Sequence, residues 1–105
     1  MNVSDEELRR AAKLRVARLF NVNSDTLEDR VVFGEDLKMS FISDFKPNEF
    51  DQVDYDIRDV ADPQILKELS SGTLVIRTVG DYCEHMVRCY RTKPEEVIRV
   101  LRIME

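Results

Sequence analysis

The chain has 105 residues, 43% of them apolar and 35% charged, with a formal net charge of −5. That length suits one domain with one modest core, and that composition excludes a disordered chain. No apolar run approaches the roughly 20 residues needed to span a bilayer, and a chain this acidic is a poor ligand for nucleic-acid phosphates.

The charge is uneven. Residues 1–20 carry +2, residues 21–71 carry −8 and residues 72–105 carry +1. An acidic middle suits a basic protein partner, because complementary charge speeds association. The alternative is an acidic surface that serves only to keep the chain dispersed. "MNVSDEELRR" is too polar for a signal peptide, so a cytoplasmic location is the expectation.

Ser4 and Glu7 have the spacing of a capping box, and Asp5 and Glu6 suit the positive end of a helix. Leu8, Ala12, Val16, Leu19 and Phe20 recur at helical spacing, which predicts a helix to about Phe20. The long connection that follows contains Leu27, Val31, Phe33 and Leu37. It is too apolar for a free loop and should fold back over the helices.

Pro47 and Asn48 announce a second helix, with Asn48 as its cap. Phe50, Val53, Ile57 and Val60 form its apolar stripe, and Asp51, Asp54, Asp56 and Asp59 are placed off that stripe. Tyr55 projects almost opposite it, among the acids. Asp62-Pro63 opens a short helix through Leu69, with Gly72 just past its end. "TLVIRT" reads as an extended connector.

Thr78 and Asp81 cap a fourth helix, in which Val79, Tyr82, Cys83, Met86, Val87 and Tyr90 share one face. Thr92 and Glu95 bracket Pro94 at the start of a last helix, with Val97, Ile98, Leu101 and Met104 on its apolar side. The sum is an all-α bundle of three long helices and a short one over residues 1–91. Residues 92–105 add a C-terminal helix to the same domain.

The order of these elements resembles an acyl carrier protein. "RVARLFNVNSDTLEDRVVFGEDL" (15–37) is similar to that family's first helix and long loop, and ends in its F-x-E-D-L motif at Phe33, Glu35, Asp36 and Leu37. "NEFDQVDY" (48–55) resembles the start of its second helix, D-S-L-D-x-V-E-L, and "TVGDYCEHM" (78–86) its T-V-G-D helix start. The resemblance implies a four-helix carrier fold in which a serine at the start of the second helix bears 4′-phosphopantetheine. It also implies an acidic second helix that docks basic enzymes.

The chain departs from that pattern at the serine. Matching "NEFD" to D-S-L-D puts Glu49 at the modification position and requires eight extra residues after Leu37, within "KMSFISDFKP". A carboxylate cannot take the arm by the family's chemistry. A rival match places Ser40 there, three residues after Leu37 where the family has four; Ser43 has less in its favour.

Three functions follow as expectations. In the first, the chain has lost the cofactor and is a protein-interaction module that docks a basic partner through Glu49, Asp51, Asp54, Tyr55 and Asp59, with Arg58 diluting the negative face. In the second, it is an acyl or aminoacyl carrier modified at Ser40. In the third, it is a structural subunit that dimerises through its last helix.

No catalytic constellation is expected, since the single histidine, His85, has no identifiable partner set. Cys83, Glu84, His85 and Cys89 point in different directions on one helix and do not make a metal site. Cys83 and Cys89, six residues apart, would diverge by about 120° and remain free thiols.

Overall fold

The computed structural model describes residues 3–37 and 49–103. Ser40, Ser43, Pro47, the Asn48 cap and Met104 lie outside the described residues. The described chain is all-helical: α1 Asp5–Phe20, a 3-10 turn Ser24–Thr26, α2 Glu49–Asp59, α3 Pro63–Ser71, α4 Val79–Tyr90 and α5 Pro94–Leu101. No described helix is long and apolar enough to cross a membrane.

The starts of α1, α3 and α4 and the ends of α1 and α3 have local causes. The Ser4 hydroxyl accepts from the Glu7 amide at 3.1 Å and starts α1, and Asn21 ends it in the left-handed region. The Asp62 carboxylate accepts from the Ile65 amide ahead of Pro63, and Gly72, at φ 81°, terminates α3. At α4 the capping box is complete. Thr78 Oγ1 accepts from the Asp81 amide, and Asp81 accepts from the Thr78 amide. The last helix departs from expectation, because its cap residue is Lys93, which makes no side-chain cap bond. Thr92 is engaged elsewhere and donates to the Asp62 carboxylate at 2.9 Å, tying the entry to α5 to the start of α3.

The core is one cluster at the junction of α1, α4, α2 and α5. Leu8, Ala12 and Val16 from α1 meet Val79, Tyr82 and Met86 from α4, and Val53, Ile57 and Val60 close over them. Val97, Val100 and Leu101 of α5 belong to the same cluster. Of the apolar side expected to serve a dimer, Val97 and Leu101 are packed within this chain, Ile98 is half-buried, and Met104 lies outside the described residues.

The long connection after α1 does fold back. Leu27 and Leu37 are buried, and Phe20 packs in tilted ring contact with both Phe33 and Phe50. Its far end is stitched to the start of α4. The Phe33 amide donates to Arg77 O, the Val79 amide to Val31 O and the Gly80 amide to Asp29 O, each at 2.9 Å. A Cβ at Gly80 would stand 2.9 Å from Asp29 Cβ and 3.0 Å from its carbonyl oxygen, so this approach needs glycine. "TLVIRT" forms no strand, and its one β-bridge pairs Thr78 with Val32.

Candidate functional site

The second helix divides its acids into two groups. Asp51, Asp54 and Asp59 are exposed, and Tyr55 keeps 51% of its surface. Asp51, Tyr55 and Asp59 are spaced i, i+4, i+8 and form one row along the outer face, because residues four apart are neighbours on a helix. Asp54 lies beside the row and pairs with Arg58 at 3.3 Å, so Arg58 does dilute the negative charge.

Two expectations for this helix are corrected. Glu49 is only 8% exposed and does not stand on the outer face with the others. It occupies the first position of α2. Asp56 is 4% exposed, not off the apolar stripe. Its position relative to Val53, Ile57 and Val60 (i+3, i−1, i−4) puts it within that stripe, and the fold supplies charged partners for it there.

Those partners come from α1 and α4. Arg15 Nε donates to Asp56 Oδ2 at 2.9 Å and Arg15 Nη2 to Oδ1 at 3.2 Å, a two-point clasp. The Tyr82 hydroxyl donates to Oδ2 at 2.9 Å. The Arg15 and Asp56 side chains retain 14% and 6% of their surface. The bond to Asp56 holds the Arg15 guanidinium above its ordinary pKa. Burial, then the neighbouring Asp56 charge, pushes the Tyr82 phenol well above its ordinary range, so it stays a proton donor. Three side chains distant in sequence thus lock the rotation of α2. The only trace of this in the sequence was an aspartate at a core position of an amphipathic pattern.

His85 adds a fourth tie. Its Nε2 lies 2.8 Å from Ile57 O, and since a carbonyl only accepts, Nε2 carries the proton. Burial lowers the pKa of the ring, which is neutral at pH 7. Cys89 Sγ stands 3.5 Å from the same nitrogen, whereas Cys83 Sγ donates to Arg9 O on α1. Both thiols are buried and free, and burial pushes each up to about 12. Among the described residues no group of three or more His, Cys, Asp or Glu side chains gathers as a metal site.

Two clefts flank α2. One, of about 480 Å3, runs toward α3 and is lined by Asp54, Ile57, Arg58, Leu66, Leu69 and Ser70. The other, of about 330 Å3, opens toward α5. Tyr55 and Asp59 sit on its wall and the Arg15–Asp56 pair on its floor.

Two of the segments on which the resemblance was drawn meet in space. The F-x-E-D-L loop at Phe33–Leu37 and the T-V-G-D start of α4 are joined by the Val32–Thr78 bridge and the Phe33 amide bond to Arg77 O. The Asp36 carboxylate closes the loop by accepting from the Val32 amide at 3.0 Å. No protein-family model, curated protein or solved structure matches the chain.

Proposed function

We propose that the chain is a helical interaction module that docks a basic protein partner through the outer face of α2. The observation that carries this reading is the row Asp51–Tyr55–Asp59, an aromatic side chain half exposed between two exposed carboxylates, with Asp54 alongside. Tyrosine is among the residues enriched at the energetic centres of protein interfaces. Each exposed ion pair contributes only about 0–1 kcal/mol, so the aspartates act as a group and Tyr55 supplies the apolar contact. Glu49 drops out of the contact set because it is buried.

The test is binding to a cross-linked and identified partner, measured at low and high salt. Affinity should fall as salt screens the face, and Asp51→Lys with Asp54→Lys or Tyr55→Ala should abolish it. Affinity that ignores both salt and these substitutions sinks the reading.

The contact between the F-x-E-D-L loop and the T-V-G-D helix start favours a second reading, in which the chain keeps the acyl-carrier plan. Under it, Ser40 would carry 4′-phosphopantetheine. Incubation with coenzyme A and a phosphopantetheinyl transferase, followed by intact-mass measurement, separates the two. One added arm, lost in Ser40→Ala, establishes the carrier reading. An unchanged mass leaves the interaction module.

A further inference from the structure

Three guanidinium groups, one from α1 and two from the end of α5, line the cleft between α2 and α5. Arg15 comes from α1, Arg99 from α5 and Arg102 from the residue that caps α5. Gathering like charges is unfavourable unless something neutralises them. On the floor, Asp56 takes the Nε and Nη2 of Arg15, which leaves Nη1 without an acceptor among the described residues. Arg15 lines the cleft and keeps 14% of its side-chain surface exposed. Arg99 spends Nη2 on Glu96. Arg102 makes no ion pair among the described residues and sits at φ 55°, where glycine is the usual cap.

The same lining also carries an acid, whose charge reaches Arg99. Asp59 is exposed, lines the cleft and has no side-chain ion pair among the described residues. Gln52 adds an amide beside it, and Tyr55 and Val100 supply the apolar surface. A planar guanidinium fork matches a carboxylate, and a free aspartate matches an ammonium group. A volume of about 330 Å3 is at the small end of ligand clefts.

We propose that this cleft binds a small zwitterion, its carboxylate held by Arg15 and Arg102 and its ammonium group by Asp59. The inference rests on the cleft alone and not on the docking reading.

Nitrogen-15 NMR of the full chain, read at backbone amides and arginine Nε–H groups at constant ionic strength, is the test. The probes are glycine and γ-aminobutyrate, with acetate and butyrate as counterparts lacking the amine. At least one zwitterion should give saturable shifts confined to α2, Arg15 and the end of α5, with affinity about tenfold above that of its counterpart. Arg102→Gln should weaken that binding about tenfold, and Asp59→Asn should reduce the zwitterion to the level of its counterpart. Asp54→Lys, which removes docking charge outside this cleft, should leave the titration unchanged, so the two readings fail separately. Shifts that never saturate, or that persist equally in Arg102→Gln, overturn the proposal.

Discussion

Removing the Asp56 carboxylate is the sharpest perturbation the fold allows. Asp56→Ala deletes the acceptor of three hydrogen bonds, two from Arg15 and one from Tyr82, and leaves a guanidinium with only 14% of its surface in water. Breaking a buried ion pair from one side costs about 3–5 kcal/mol, because the remaining charge is stranded. Arg15 lines a solvent-filled cleft and keeps some of its surface in water, which puts the expected loss near the lower figure, about 3 kcal/mol. A domain this size has roughly 5–15 kcal/mol of stability, so the variant remains folded but weakened.

Urea unfolding followed by circular dichroism measures this. With a slope near 1–1.5 kcal/mol per molar, the midpoint should fall by about 2–3 M. A companion variant separates stranded charge from lost packing. Arg15→Met, Asp56→Leu and Tyr82→Phe together remove every member of the network, and their combined stability should lie within about 2 kcal/mol of the parent. A single-variant loss below about 1 kcal/mol, or a triple variant as unstable as Asp56→Ala, would refute the reasoning.

Other expectations follow from neighbouring contacts. Arg88 grips Glu68 through two 2.7 Å bonds and holds its carboxyl down to about 2. A depressed carboxyl stabilises the fold above its unfolded pKa and loses that contribution as pH falls through its folded one. Glu68→Gln should therefore flatten the acid limb of the stability curve between about pH 4.5 and 2, read by denaturant midpoints across that range. Gly80→Ala must push Asp29 away from a 2.9 Å approach and should lower stability by about 1–3 kcal/mol in the same urea assay. Cys83 and Cys89, buried and pushed up to about 12, should resist a thiol reagent at pH 8 until denaturant unfolds the chain.

The helices were legible because their signals are local. Ser4, Asp62 and Thr78 each bond to an amide three residues ahead, and helical spacing of apolar residues is a property of a short window. The same holds for the Gly72 stop. The exposed row on α2 was also visible, because Asp51, Tyr55 and Asp59 lie on one side of a pattern whose other side is apolar.

What no window of sequence contained was the partner of Asp56. An aspartate in an amphipathic helix reads as a surface charge, since burying one alone is prohibitive. Only the approach of α1 and α4 brings Arg15 and Tyr82 within reach of it, from 41 and 26 residues away. Thr92 became a tether for Asp62 for the same kind of reason. Local spacing chose which segments became helices and where they stopped. Packing of those helices decided which charges are structural, which face outward, and where Arg15, Arg99 and Arg102 meet, because electrostatic pairing depends on distance in space and not along the chain.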